Sequence, residues 1–477
     1  MTYMAYSSLI FDLGDVLFTW SDSPKGAPLP AAVLRRILQS AHWFEYEKGN
    51  LSEEEIYTVV AHDYDLPIED VQSTIQGARD TLQRNVGMLK FIQELKQTGF
   101  TIYAMSNISQ PDWEILSTKA RPEDWDLFDR IYTSAAMRAR KPDLAFYKHV
   151  IEDSDIDPAR TIFVDDKLEN VLSARSFGMH GLVFDGQANV IRLLKNLCYD
   201  PVHRGRQFLE SHKGNLRSMT SNGVEISDNF SQFLILELTG DQSLVAHDQL
   251  SGPVNFFHGA PALTTDTFPN DLDTTSIALS ICDCVDVASK RDVMEEMLNY
   301  KNTDGIIQVY FDHSRPRIDP IVCTNVLTLF YAYGRGSELS ESLDWVEQVL
   351  LNRAYITGTY YYAGGDLFLY FLSRLLNNSG EVRMRFSATF KERVIERFGE
   401  PSDSIGLACR ILAALSVGIT AERDLRTLLS RQCEDGSWKD GWLYKYGTSG
   451  IRIGNDGVTT AFAIRAIQDS QFLRMTK

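Results

Sequence analysis

Polar residues close three short apolar runs in the first half of the chain: Asp12 after SSLIF, Ser106 and Asn107 after FTIYAM, and Asp165 with Asp166 after RTIFV. A carboxylate such as Asp12, leaving a strand end with Leu13, Gly14 and Asp15 as a tight turn behind it, can attack phosphorus. Ser106 and its neighbour Asn107 can hydrogen-bond a transferring phosphoryl group, and Lys141 in ARKPDLAFY can neutralise its charge. Asp165 and Asp166 can hold Mg²⁺, which prefers carboxylates plus waters. Taken singly, each residue reads equally well as a helix cap or turn former. Their order and spacing are what point to phosphoryl chemistry.

The second half carries a different constellation. In FPNDLDTTSIALS, Asp271 and Asp273 flank Leu272 just ahead of an apolar helical run. Two carboxylates so close cannot both ionise freely. Repulsion and desolvation raise one pKa and keep a protonated acid inside an apolar cavity at neutral pH. The competing reading is that Asp271 caps the helix while Asp273, Thr274 and Thr275 fill its first turn. RTLLSRQCEDGSW adds Leu429, Gln432, Gly436 and Trp438 in an L-x₂-Q-x₃-G-x-W pattern. Around it cluster Phe256, Phe257, Tyr360, Tyr361, Tyr362, Trp438, Trp442, Tyr444 and Tyr446, whose ring faces can stabilise carbocations or simply pack a core. Of these, Tyr360, Tyr362, Trp438, Trp442 and Phe256 are candidate cavity residues.

The elements that must position these groups differ between the halves. Over about the first 190 residues, β-rich runs (SSLIFDL, FTIYAMSN, DRIYTS, RTIFVDD, HGLVFD) alternate with amphipathic stretches, the pattern of a parallel sheet covered by helices. Such a sheet places its ligand crevice at the carboxyl ends of its strands. The helical segment over about residues 20–88 is long enough for a cap above that crevice. Residues 196–224, rich in Pro, Gly, His, Asn and Ser, read as a linker with one short helix. Beyond them, from 225 to 477, strand signals fade and roughly nine helices follow, several apolar on more than one face. The fold class expected is thus α/β plus all-α, a doubly wound parallel sheet with a helical cap followed by a helical barrel or solenoid. ITGTYYYAGGDLF and YGTSGIRIGNDG read as loops at its mouth.

Composition narrows the function classes. With 477 residues, 44% apolar and 23% charged, the chain is long enough for two or three domains and is not disordered. Its 47 Lys and Arg against 64 Asp and Glu give a formal charge of −17, which repels nucleic acid and anionic lipid. A phosphorylated substrate must then be held by Mg²⁺ or by local basic groups. Candidates for a diphosphate are Arg315, Arg317, Arg353, Lys445 and Arg452, each of which also reads as an ordinary solvated cation. The six cysteines (Cys198, Cys282, Cys284, Cys323, Cys409, Cys433) are too sparse for a disulfide scaffold and lack zinc spacing, so they read as reduced packing residues. MTYMAYSSLIFDLGDVLF lacks the charged start and long apolar core of a signal peptide, and no run spans a bilayer. A cytoplasmic location is expected. The oligomeric state is left open, a homo-oligomer included.

These motifs carry two resemblances. IFDLGDVLF, YAMSN, the lysine of RKPDLAFY and IFVDDKLEN resemble, in order, the four motifs of the haloacid dehalogenase-like phosphatases over residues 1–195. The resemblance implies Asp12 as nucleophile, Ser106, Asn107 and Lys141 as phosphate-binding residues, and Asp12, the Gly14 carbonyl, Asp165 and Asp166 as Mg²⁺ ligands. It departs at Gly14, where the family carries its general acid, so leaving-group protonation falls to water or Asp15 or is not needed. DLDTT and the Q-x₃-G-x-W pattern over 225–477 resemble the class II terpene cyclases, which implies an α/α barrel, Asp273 as the acid that protonates an alkene, and Asp271 and Thr274 as residues that tune it. The whole order resembles the fused drimane-type sesquiterpene cyclases. That implies farnesyl diphosphate as substrate, a drimenyl or albicanyl diphosphate as first product, and Mg²⁺-dependent loss of one or both phosphates. Two alternatives stand beside it: a cyclase whose N-terminal half is a structural partner, and a prenyl-binding protein without turnover.

Overall fold

Each of the five β-rich runs becomes a strand in the computed structural model, which describes residues 6–282 and 285–475. The strands lie in the order Arg130–Thr133, Thr101–Ser106, Ser8–Phe11, Thr161–Asp165, His180–Val183, all parallel. Alternation decides which face each residue covers. Ile10, Tyr103, Met105 and Phe163 pack into one core cluster, and Leu9, Phe11, Ile102, Ala104, Ile162 and Val164 into another. The sheet is therefore covered on both faces, as an all-parallel sheet requires. The register that pairs Phe11 with both Ala104 and Val164 brings Asp12, Ser106 and Asp165 to the same carboxyl edge.

Between Ser8–Phe11 and Thr101–Ser106, helices Ala31–Leu38, Ala41–Glu47, Glu53–Asp63 and Ile68–Asp80 build a core of their own from Leu34, Ile37, Trp43, Tyr46, Ile56, Val71 and Ile75. Ser52 and Glu55 form a reciprocal capping box at the start of the third. A short antiparallel pair, Phe18–Thr19 with Gln83–Arg84, ties the two ends of this cap together.

The chain divides into two units, Met1–Tyr199 and Asp200–Lys477. Most of the stretch expected as a linker is structured and belongs to the second unit. Helix Pro201–Ser211 buries Val202, Phe208 and Leu209 and packs on helix Asp456–Met475. Its Pro and Gly are not linker residues: Pro201 opens the helix, where its missing N–H is harmless. At Gly205 an added Cβ would lie 3.0 Å from Ile464 and 3.1 Å from the Trp438 ring. Strands Ser218–Thr220 and Glu225–Ile226 then join Trp442–Lys445 and Arg452–Gly454 in a four-stranded sheet. YGTSGIRIGNDG is accordingly in part a hairpin strand rather than only a loop.

The rest of the second unit is mostly helical. The most buried helices, Asn229–Thr239, Leu272–Ile281, Pro320–Ala332, Gly365–Asn378, Ser404–Ser416 and Asp456–Met475, each pack against the next, and the last packs against the first. More exposed helices, Val287–Met297, Ser340–Leu351, Gly380–Glu396 and Glu422–Ser430, alternate with them along the chain. Ten α-helices lie beyond residue 225 among the described residues, against the roughly nine expected. Asn229–Thr239 is the hardest to read locally, because the run FLIL turns apolar side chains to every side and leaves no 3.6-residue rhythm to detect. Cys198, Cys323, Cys409 and Cys433 are free thiols and Cys282 is buried, whereas Cys284 and residues 1–5 lie outside the described residues. Among the described residues, no helix is long and apolar enough to cross a membrane.

The Q-x₃-G-x-W segment fastens this unit. Gln432 Nε2 donates to the carbonyls of Pro201 and Gly436, each at 2.9 Å, and Gln432 Oε1 accepts from Arg204 at 3.0 Å. Trp438 is fully buried, its indole N–H on the Leu428 carbonyl at 2.8 Å. Gly436 sits at φ +89°, and a Cβ there would come within 2.4 Å of the Arg204 carbonyl oxygen. Gly436→Ala is therefore expected to cost about 2 kcal/mol and to lower Tm by roughly 5 °C in thermal denaturation. An unchanged Tm would show that this junction yields without loss.

Candidate functional site

In the first unit, burial and charge converge on Lys141. Its Nζ lies 2.9 Å from Asp12 Oδ1 and 2.6 Å from Asp165 Oδ2, and donates to the Met105 carbonyl at 2.7 Å. The position of this lysine is set by Asn107, whose Oδ1 accepts from the Lys141 N–H at 2.7 Å and whose Nδ2 donates to the Lys141 carbonyl at 2.8 Å. Asn107 thus differs from its expected part: both ends of its amide hold the lysine backbone instead of waiting for phosphate. Asp165 is held by Asn170 Nδ2 at 2.9 Å and by the Lys167 N–H at 2.8 Å. Ser106 is buried at the strand end and lines the same crevice.

Asp12, Asp165 and Asp166 offer carboxylate oxygens that all lie within 4.8 Å of one another. Against them stand two ammonium groups, Lys141 and Lys167, the latter 2.5 Å from Asp166. The cluster keeps net negative charge and presents only hard oxygen donors, a set that suits Mg²⁺. The Gly14 carbonyl stands at the same crevice. Burial pushes the Asp12 carboxyl up to about 7, with Lys141 pulling it back and Asp165 adding to the rise. The crevice measures about 1230 Å³. Its other wall comes from the cap and mixes apolar residues, Trp20, Leu34, Trp43 and Phe44 among them, with the charged Arg35, Glu47 and Arg79.

In the second unit DLDTT both caps a helix and lines a cavity. Asp271 caps helix Leu272–Ile281, its Oδ1 accepting from the Thr274 N–H at 2.6 Å. Asp273, in the first turn, is buried and faces a cavity of about 490 Å³. Burial pushes Asp271 up to about 8, with the charge of Asp273 adding to it. Asp273 rises to about 7, chiefly by burial, while hydrogen bonds from Tyr362 and Asn325 hold it down. Desolvation, more than mutual repulsion, therefore lifts both carboxyls. Thr274 lines the cavity, and its hydroxyl is buried with no protein partner.

Asp273 Oδ2 accepts from the Tyr362 hydroxyl at 2.5 Å, and Oδ1 accepts from Asn325 Nδ2 at 2.7 Å. Behind Asn325, its Oδ1 accepts from Arg374 Nη1 at 2.8 Å, and Arg374 pairs with Glu237 at 2.7 Å. Sequence reasoning missed Asn325, Arg374 and Glu237. The available signal was weak: each sits in a largely apolar helix, PIVCTNVLTLFYA, GDLFLYFLSRLLNN or NFSQFLILELT, among several other polar residues.

Of the expected cavity residues, Phe256, Tyr360 and Tyr362 line the cavity, joined by Phe230, Phe257, Phe268, Tyr310, Tyr361, Tyr444 and Tyr446. Trp438 and Trp442 do not. The first is committed to the Gln432 junction, and the ring of the second carries the Arg452 guanidinium 4.7 Å from its centroid. Arg315, Arg317 and Lys445 stand at the cavity, as a diphosphate would need. Arg452 is stacked on Trp442 instead, and Arg353 is spent on Glu396 at 2.6 Å. Neither lines the cavity that Asp273 faces.

Comparisons with known proteins match this division. The family model of haloacid dehalogenase-like hydrolases matches residues 42–184, and that of the sesquiterpene cyclase astC-like C-terminal domain matches residues 202–333. The chain is 45% identical over 469 residues to the drimenol cyclase drtB of Aspergillus calidoustus, covering 97% of this chain and 88% of that one. It is 38% identical over 177 residues to the sesquiterpene phosphatase astK of Aspergillus oryzae, 37% of this chain and 89% of that one. Over 203 residues it is 29% identical to flavin mononucleotide hydrolase 1 of Arabidopsis thaliana, 40% of this chain and 76% of that one.

Proposed function

The chain belongs to the drimenol cyclase family, a sesquiterpene cyclase half fused to a haloacid dehalogenase-like hydrolase half, and on that premise we propose that it cyclises farnesyl diphosphate to a bicyclic drimane-type diphosphate and then removes phosphate from it. The observation that carries this reading is Asp273, a buried acid at the wall of an aromatic cavity with cations at the same cavity. The cyclic order of the apolar helices supports an α/α barrel around that cavity. Its volume lies in the range of small-molecule sites.

The residues divide the work as follows. The Asp273 O–H bond breaks as the distal alkene's electron pair takes the proton, leaving a tertiary cation. Two further alkenes close the rings, and loss of a proton from the final cation gives a drimenyl or albicanyl skeleton. Faces of Phe256, Tyr310, Tyr361, Tyr362 and Tyr444 stabilise the passing charge. Arg315, Arg317 and Lys445 hold the diphosphate, which keeps the chain from being cleaved at its allylic end.

At the first unit, Asp12 attacks the terminal phosphorus, the P–O bond to the leaving phosphate breaks, and water then releases the phosphoryl group from Asp12. Lys141 and Ser106 hold the transferring oxygens. A Mg²⁺ bound by Asp12, Asp165, Asp166 and the Gly14 carbonyl would supply further charge compensation there. Position 14 offers no acid, and open space surrounds it, since a Cβ would meet nothing within 4 Å. Losing the outer phosphate expels a terpenyl phosphate, which leaves without a proton. Losing the inner one expels an alkoxide, which needs one. The monophosphate is thus the fast product and the alcohol the slow one. Gly14→Asp is expected to speed the second step about tenfold to a hundredfold, measured as alcohol formed from the monophosphate. No change would place the leaving-group proton elsewhere.

The direct test incubates the purified chain with farnesyl diphosphate and Mg²⁺, without added phosphatase, and follows products by mass spectrometry. Bicyclic monophosphate preceding alcohol is expected; farnesol alone, or bound substrate without turnover, would overturn the reading. The pH dependence has a definite sign. Because burial lifts Asp273 to about 7, the working protonated form is complete below that value and is lost above it. Initial rates of ring formation are expected to be flat at pH 5–6 and to fall about tenfold per unit above 7. A rate that rises with pH would exclude a carboxylic acid as trigger.

A further inference from the structure

Asn325 has an ambiguity that its neighbours resolve. A side-chain amide can present either its carbonyl or its NH₂ to Asp273, and the two choices act in opposite directions on an acid. A guanidinium can only donate. With Arg374 Nη1 2.8 Å from Asn325 Oδ1, the carbonyl end is claimed, and Nδ2 is left to donate to Asp273 Oδ1 at 2.7 Å. That donation stabilises the carboxylate that remains once the proton has gone.

A bare guanidinium one residue behind the acid would do harm as well, since an uncompensated cation favours ionisation before substrate arrives. Here Glu237 Oε1 accepts from both Arg374 Nε, at 3.0 Å, and Nη2, at 2.7 Å. We propose that Arg374 is a positioning residue for the acid: it locks the Asn325 amide in the donating orientation, and Glu237 neutralises it so that Asp273 stays protonated. The inference rests on the reading of Asp273 as the proton donor.

The other groups that act on Asp273 are Asp271 on its own helix, Asp319 and Cys323 at the start of Pro320–Ala332, and Tyr362 and Tyr444 across the cavity. Tyr370 and Arg465 act on Glu237. None of them is a second cation beside Asp273, so the pH effect of Glu237 should run through Arg374.

The test uses the full chain with farnesyl diphosphate and reads ring formation. Arg374→Met is expected to lower kcat about tenfold to a hundredfold with KM nearly unchanged, and Arg374→Lys, which keeps one donor, to recover much of the loss. Glu237→Gln is expected to shift the falling limb of the pH profile down by about one unit. If Arg374→Met does not fold, the double variant Arg374→Met with Glu237→Gln removes the buried pair together; it should fold, and keep a lowered kcat with the falling limb near its wild-type position. Wild-type kcat and pH profile in a folded Arg374→Met or in the double variant, or a rise in KM alone, would overturn the inference. Should Asp273→Asn still cyclise, the reading of the acid itself fails. An inactive Asp273→Asn beside a fully active Arg374→Met sinks only the role given to Arg374.

Discussion

Asp273→Asn is expected to reduce formation of the bicyclic skeleton by about 10⁴-fold or more, while phosphate release from a supplied bicyclic diphosphate continues at the wild-type rate. General acids typically contribute 10²–10⁴. Here the proton also begins the reaction, and no later step runs without it. The variant should fold, because asparagine has the size of the acid and its carbonyl can still accept from Asn325 Nδ2. It also removes a carboxyl that burial disfavours when ionised. The measurement is initial rate by mass spectrometry with matched thermal denaturation curves. Ring formation within tenfold of wild type would require another donor, and Asp271 would be the first to test, since it lines the same cavity.

Asp12→Asn is expected to leave ring formation intact and to cut phosphate release by about 10³-fold or more, so that the bicyclic diphosphate accumulates. An amide cannot attack phosphorus, but it still accepts a hydrogen bond, and Lys141 keeps its 2.6 Å contact with Asp165. The result would separate the two units by chemistry. If wild type itself accumulated diphosphate, the crevice would be a scaffold and Gly14 the reason. If Asp12→Asn stopped ring formation too, the two activities would not be separable in the way proposed.

The chemistry was most legible where one local rule decided it. Strand ends followed by acids became the carboxyl edge of a sheet because apolar runs of four to six residues can hardly become anything else between amphipathic helices. DLDTT was legible as a helix start because a cap needs such residues at such a place, and the structure puts the same residues at a cavity wall. What escaped was set by distant partners. Asn325 lies 52 positions from Asp273 and Arg374 a further 49, and nothing in their local sequence says that they meet. Trp438 was misassigned for a related reason. Aromatic type marks it as large and sticky, but only the Leu428 carbonyl and the Gln432 junction show that its stickiness is spent on holding helices together. Pro201 and Gly205 looked like breakers because their helical uses, as a first-turn residue and as a close-contact surface, depend on what packs against them.

The placement of the two acids at the start of helix Leu272–Ile281 has one more consequence. Burial makes an acid hold its proton, which keeps it ready but also reluctant. A helix beginning points its unsatisfied N–H groups and the positive end of its dipole outward, a field that favours negative charge close by. Asp273 stands in the first turn, where that field is strongest. With Asp273 as the proposed proton donor, the same helix would ease the step that burial opposes, by stabilising the anion just as the proton departs. Desolvation decides how long the proton waits, and the helix end lowers the cost of letting it go.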